Sequence, residues 1–224
     1  MPTKWRDEIP QLLIIVGMFA AAGLLWPFAP DRLPVHWNIA GHVDRYGGKF
    51  EGLLLMPLIA LGAYLLLLLL PRIDPNRANY AKFAVPYAAV RLAAICLLAV
   101  VEACIALVGF GYPVNVGRIV PFGVGLLFCV IGNLMPKFQR NWFVGVRTPW
   151  TLSSRASWHK THRLAGRLFI VSGIALCALA FIQTPWMLAL VVGMFVVILV
   201  WVTAYSYVIW RHDPERAGAG DSPP

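Results

Sequence analysis

The feature that most constrains this chain is a series of six apolar runs: Ile9 to Phe28, Leu53 to Leu70, Pro86 to Phe110, Ile119 to Met135, Leu164 to Gln183 and Trp186 to Trp210. A helix rises about 1.5 Å per residue, so about 20 residues cross the hydrocarbon core of a bilayer, and the runs meet or approach that length. A water-soluble fold has no use for them. With 59% of its 224 residues hydrophobic and 13% charged, the chain has too little polar surface to cover a soluble core. The expected fold is all-α, a polytopic membrane bundle of six transmembrane helices. Pro27, Pro30, Pro71, Pro113, Pro136 and Pro185 fall at or near run ends, where a residue without an N–H fits a helix boundary. Lys4 and Arg6 ahead of an apolar run resemble the start of a signal peptide. That run is too long, however, and Pro30 follows the only suitable cleavage residue, Ala29, so the first helix is expected to stay as an anchor.

The basic residues orient the bundle, because cytoplasmic loops keep an excess of Lys and Arg. Lys4, Arg6, Arg72, Arg77, Lys82, Lys137, Arg140, Arg147, Arg155, Lys160, Arg163, Arg167, Arg211 and Arg216 fall on one side of the predicted membrane. Arg32, Arg45, Lys49 and Arg118 fall on the other, a bias of 14 to 4 that predicts both termini in the cytoplasm. The net charge of +9 is distributed between apolar runs, which favours anionic membrane lipid over nucleic acid as the counter-charge. The tail 211–224, rich in Gly, Pro and charge, reads as disordered, and the short link from Gln183 to Trp186 requires the last two helices to form an antiparallel hairpin.

Cys96, Cys104, Cys129 and Cys177 lie singly within apolar segments, so they read as small buried hydrophobes and not as a metal or redox set. Arg91 and Glu102 are the costly residues of the third run, at roughly 2.5–3.5 kcal/mol each on insertion scales. They share a helix face about three turns apart, too far to pair. Arg91 is expected to snorkel to the cytoplasmic surface, leaving Glu102, in the outer half, as either the intramembrane functional candidate or a neutral, hydrogen-bonded structural residue.

Two polar segments remain. The outer loop, LPVHWNIAGHVDRYGGK from Leu33 to Lys49, contains His36, His42 and Asp44. Either they bind a divalent metal or they satisfy the backbone of an ordered cap. The cytoplasmic segment 133–167 begins irregularly at Pro136, Gly145 and Pro149. Ser153 or Ser154 then caps a helix that continues into the fifth span. On that helix Arg155, His159, Arg163 and Arg167 recur every four residues as a basic stripe, with Trp150 and Trp158 placed for the headgroup layer. The stripe serves as a lipid anchor or as a partner site. His159 and His162 have ligand spacing, but no third donor is nearby.

This segment resembles the signature of the bacterial SdpI family. It has Met135-Pro136-Lys137, then Asn141, Phe143 and Gly145, then Arg147-Thr148-Pro149-Trp150-Thr151-Leu152, then Trp158, Lys160-Thr161-His162-Arg163 and Gly166. The outer loop, through Pro34, His36, Asn38, Gly41, Asp44 and Lys49, resembles a second, uncharacterised module that accompanies that family. Residues 1–85, with the loop 29–52, then form an N-terminal two-helix module, and residues 86–210, with the cytoplasmic loop 136–163, an SdpI-like four-helix region. The resemblance implies an immunity protein of the bacterial cytoplasmic membrane that protects its producer against a secreted peptide toxin, and in some members a signal transducer that captures a cytoplasmic repressor. It implies a cytoplasmic partner surface of Asn141, Arg147, Thr148, Pro149, Trp150, Trp158, Lys160, His162 and Arg163, and an outer face of His36, Asn38, Gly41 and Asp44. No cofactor or metal is expected. Two other classes compete: a solute or ion transporter using Glu102, and a membrane enzyme acting on lipid or peptide. For the enzyme the sequence offers neither an HExxH pair, a GxSxG elbow nor paired carboxylates within a span.

Overall fold

A computed structural model of the protein describes residues 5–38, 40–182 and 186–214. The expected disordered tail lies, from residue 215 onward, outside the described residues, and so does the connection 183–185 of the final hairpin. Helix α1 (Trp5–Leu25) leads to a two-stranded hairpin, β1 (Leu33–Trp37) and β2 (Val43–Gly47). A π-helical turn, Phe50–Leu54, runs into α2 (Leu55–Ile73), and a 3-10 turn, Arg77–Lys82, into α3 (Ala84–Gly109). Then come α4 (Val116–Leu134), a 3-10 turn at Met135–Lys137, α5 (Pro149–Ser153), α6 (Arg155–Ile182) and α7 (Met187–Arg211).

Six of these helical segments are long and apolar enough to cross a membrane. Their outward faces carry Leu13, Leu66, Val171, Leu199 and Val200, all exposed, as befits helices solvated by lipid. The chain is a polytopic helical membrane protein. The π-turn joins α2 as one segment, Phe50–Ile73, and the fourth span, with its closing 3-10 turn, covers Val116–Lys137. Among the cysteines Cys104 is buried and Cys129 and Cys177 are half-buried, but Cys96 is exposed on α3, which corrects the reading of all four as interior.

Inside the bundle, the closest approach is between α4 and α6. Gly125 and Gly132 face Gly173 and Gly166. A Cβ added at Gly132 would stand 2.6 Å from the Gly166 carbonyl oxygen, and one at Gly125 2.7 Å from that of Gly173. Membrane helices gain no hydrophobic drive from lipid, so backbone-to-backbone contact through small residues supplies the packing instead. Pro71 sits within the last turn of α2 and does not end it. It has no N–H to offer the Leu67 carbonyl four residues back, and the Tyr87 hydroxyl of α3 donates to that carbonyl at 2.5 Å instead.

The start of α1, the α2–α3 and α4–α6 connections and the close of α7 gather at one end of the bundle, the terminal end. The β-hairpin and the α3–α4 connection lie at the other, the hairpin end. The hairpin is the one strand pair among the described residues, and its inward anchor is Leu33, fully buried among Ala22, Ala29, Leu53 and Ala106.

Candidate functional site

At the terminal end two loops and two helices are tied into a plate. Asp74, just after α2, is buried: its Oδ2 accepts from the Tyr80 hydroxyl and the Trp142 amide, both at 2.9 Å, and its Oδ1 accepts from the Asn76 amide at 2.7 Å. Burial, reinforced by the bond to Asp74, pushes the Tyr80 phenol well above its ordinary pKa, so it stays a neutral donor. Asn141 is fully buried and organises the irregular loop. Its Oδ1 accepts from the amides of Phe143 and Val144 at 3.0 and 2.7 Å, and its Nδ2 donates to the carbonyls of Gln139 and Val144 at 2.9 and 3.0 Å. Such side-chain bonds replace the ladder that a loop lacks.

Trp158 and His162 brace the same loop from α6. The Trp158 Nε1 donates to the Phe138 carbonyl at 2.8 Å, and the His162 ring stacks on the indole with centroids 4.0 Å apart. The Val146 amide donates to His162 Nε2 at 3.1 Å, so Nε2 is the acceptor and Nδ1 carries the proton that meets the Trp158 carbonyl at 2.8 Å. This fixes a neutral imidazole in one tautomer. Gly145 has φ +103°, and a Cβ there would collide with that same Nε2. Thr148 caps α5 in a reciprocal box with Thr151, and its hydroxyl also meets the Ser206 hydroxyl of α7 at 3.0 Å. Ser154 then caps α6 by accepting from the Ser157 amide at 2.9 Å, as one of the two predicted caps, and also bonds Asp213.

The hairpin end is built differently. The β1 and β2 strands are antiparallel, and their connection turns on Asn38, whose Oδ1 accepts from the His42 amide at 3.0 Å, and on Gly41 at φ +79°. Gly41 lies against the start of α4, since a Cβ there would stand 3.3 Å from the Gly117 Cα. His36 Nδ1 and Asp44 Oδ1 meet at 2.5 Å on the exposed face, and His36, Asn38 and Asp44 line an open cavity of about 590 Å³. Among the described residues no group of three His, Cys, Asp or Glu side chains converges as a metal site.

Within the bundle Arg91 is 1% exposed and does not snorkel, which corrects the expectation from sequence. Its Nη2 donates to both oxygens of Glu8, at 2.5 and 2.7 Å, and its Nε to Gln11 Oε1 at 2.5 Å. The rings of Tyr64 and Tyr87 flank the guanidinium at 5.3 and 5.7 Å, and the Tyr64 hydroxyl donates to Glu8 at 3.0 Å. A buried charge persists only when so paired. Glu102 is buried on α3 with no hydrogen bond or ion pair among the described residues.

Residues 137–206 match the SdpI/YfhL protein family, the stretch that holds the plate's loop, α5, α6 and most of α7. The resemblance read from the sequence falls on this region. Residues 13–61, which span α1 from Leu13 onward, the hairpin and the start of α2, match a domain of unknown function, DUF1648. The chain is 25% identical over 206 residues to "Immunity protein SdpI" of Bacillus subtilis (strain 168), covering 92% of this chain and 97% of that relative. No solved structure matches.

The SdpI region sorts the predicted partner surface into two sets. Asn141, Trp158 and His162 are 0% exposed and so cannot form a docking surface; they hold the loop's shape. Trp158 is accordingly not in the headgroup layer. Thr148 is occupied as a cap, and Trp150 packs edge-on against Tyr207 at 5.2 Å. Arg147, Pro149, Lys160 and Arg163 are exposed, and so are Arg155, His159 and Arg167 of the stripe. Arg147 Nη1 donates to the Trp142 carbonyl at 2.9 Å. His159 is exposed where His162 is buried, so the pair does not share a ligand position. Sequence reasoning missed Glu8, Gln11 and Asp74. A signal for the first two existed: the buried stripe of α1 runs Glu8, Gln11, Ile15, Met18, Ala22, so the helical period extends past the apolar run into its polar start.

Proposed function

We propose that this chain is an immunity protein of the bacterial cytoplasmic membrane that protects its producer from a secreted peptide toxin. The observation that carries the reading is the end-to-end similarity to an immunity protein, which takes in both the hairpin end and the plate. In this reading the terminal end is cytoplasmic, as the bias of 14 basic residues to 4 favours. The N-terminal module, residues 1–85, then presents His36, Asn38, Gly41 and Asp44 to the outside. The four-helix region, residues 86–210, presents Arg147, Lys160 and Arg163 to the cytoplasm.

A physical route joins the two ends. Leu33 at the hairpin base fits over Gly109, the last residue of α3, and the first turn of α3 holds Tyr87 in the aromatic cluster of the plate with Tyr80, Phe83 and Phe138. A toxin bound at the hairpin that favours one seating of Leu33 would bias α3 as a rigid element, and through it the exposed arginines that capture a cytoplasmic repressor. A second reading, transport, is favoured by Glu102, a buried carboxyl with no partner among the described residues on that same helix.

Deleting the gene from its host and growing the deletion strain in spent medium of the parent tests the immunity reading. Growth should fail and return on complementation; equal growth with and without the gene would refute it. Orientation is tested by labelling single cysteines in intact cells with an impermeant reagent, in a background where the native cysteines are replaced. Arg45→Cys should label and Arg155→Cys should not, and the reverse pattern would invert the assignment. In proteoliposomes, a solute or proton flux abolished by Glu102→Gln would favour transport.

A further inference from the structure

Between α2, the Arg77–Lys82 turn and the start of α3 lies a cavity of about 660 Å³ that neither reading of the function uses. Three arginines line it, Arg72, Arg77 and Arg91, and no carboxylate does. The side chains of Arg72 and Arg77 are exposed and make no hydrogen bond or ion pair among the described residues. Arg91 forms the buried part of the lining. Glu8 neutralises its charge, and its Nε and Nη2 are committed, but Nη1 has no protein partner among the described residues. The remaining wall is mostly apolar, with Leu68, Pro71 and Ala84 beside Tyr80 and Tyr87, whose hydroxyls are already committed to Asp74 and to the Leu67 carbonyl. Ile73 and Val85, on the two helices beside the opening, are each 69% exposed, so the opening lies next to faces suited to lipid chains.

Unpaired guanidinium groups around an apolar cleft are chemically suited to one kind of occupant, a phosphate that carries hydrocarbon. Arginine's fork matches phosphate oxygens in paired hydrogen bonds. Two uncompensated positive charges call for an occupant with net negative charge, which a zwitterionic headgroup lacks. A freely soluble phosphate would have no use for the apolar wall or for an opening onto lipid-facing side chains. We infer that this cavity binds the phosphate of an anionic phospholipid, with Arg72 and Arg77 on the headgroup and Arg91 at the floor.

The test uses the purified full chain, delipidated in detergent. It is titrated separately with phosphatidylglycerol, with phosphatidylcholine of the same acyl chains and with inorganic phosphate, and retained molecules are counted by native mass spectrometry. One phosphatidylglycerol should be held in preference to phosphatidylcholine. The double variant Arg72→Gln/Arg77→Gln should lose about tenfold or more of that affinity. Because neither side chain holds the fold together, its melting temperature without lipid should match the parent's. The charge-matched control Arg155→Gln/Arg163→Gln, on the stripe of α6, should change the affinity by less than about twofold. Undiminished phosphatidylglycerol binding in the cavity variant overturns the site. Equal losses in both double variants reduce it to surface electrostatics and overturn it as well. Equal retention of phosphatidylcholine, or binding of inorganic phosphate as strong as that of the lipid, overturns the assignment to an anionic lipid.

Discussion

Removing the charge of Glu8 while keeping its shape should be among the most damaging single changes available in the bundle. In Glu8→Gln the Arg91 guanidinium, 1% exposed, loses the carboxylate that meets its Nη2 at 2.5 and 2.7 Å. Breaking a buried pair from one side leaves an uncompensated charge and costs about 3–5 kcal/mol. Gln11→Leu removes one bond to the same guanidinium and should cost about 1.5–3 kcal/mol. Tyr64→Phe removes a hydroxyl bond to Glu8 but keeps the ring against Arg91, so it should cost less than either. Unfolding of the purified protein by titration with a denaturing detergent ranks the three. The double variant Glu8→Gln/Arg91→Met removes both charges and should fall short of the summed single losses by about 2–3 kcal/mol, the coupling of the pair. If Glu8→Gln costs under about 1 kcal/mol, water or lipid reaching Arg91 through the neighbouring cavity already solvates the charge, and the account of a buried pair fails.

Further expectations concern how tightly individual positions are packed. Gly132→Ala should destabilise by about 1–3 kcal/mol in the same titration, because its Cβ meets the Gly166 carbonyl. Gly193→Ala, with nothing within 4 Å, should instead stabilise by about 0.5–1 kcal/mol. Gly145→Ala combines a disfavoured φ with collision against His162 and should cost about 3 kcal/mol. Its signature should be faster trypsin cleavage at Arg140 and Arg147 as the loop opens. Thr161 is fully buried, and its hydroxyl has no partner among the described residues, so Thr161→Val should raise stability by about 1 kcal/mol; a loss of that size would reveal a partner for the hydroxyl.

The extent to which the sequence was legible follows from how local each signal is. Span number and type were readable because length and apolarity are properties of one segment at a time, and the Ser154 cap because it acts three residues away. Arg91 was misjudged because its fate depends on Glu8, 83 residues distant, on a helix whose polar start the apolar window left out. The hairpin was hidden for a related reason: with two five-residue strands and two register shifts, the alternation is too short to stand out. Asp74 reads locally as a turn residue, which it is through Asn76, yet its bond to Trp142 becomes visible only once the two loops meet.

The same distinction bears on what the SdpI-like residues are for. Their order goes beyond what charge bias requires, as a docking site of fixed shape would demand. The order is real, but much of it serves the inside. A loop from Phe138 to Thr148 without regular secondary structure, held beside a membrane, must find partners for its amides and carbonyls. Asn141, Thr151 and His162 supply them to Phe143, Val144 and Val146. These roles demand particular residue types at particular positions, so they account for the specificity of the pattern without any ligand. The charged groups of the predicted partner surface are Arg147, Lys160 and Arg163, all left exposed on a loop and a helix whose relative placement the interior fixes. Of these, only Arg147 is held by a side-chain bond among the described residues, to the Trp142 carbonyl of the plate. Arg147→Lys keeps the charge but loses the planar fork and weakens that restraint, whereas Arg163→Lys alters the fork alone. A partner that reads shape should therefore be lost more readily by the first substitution than by the second, in a pull-down at equal membrane levels. Equal tolerance of both would mean that the plate presents charge and nothing more specific.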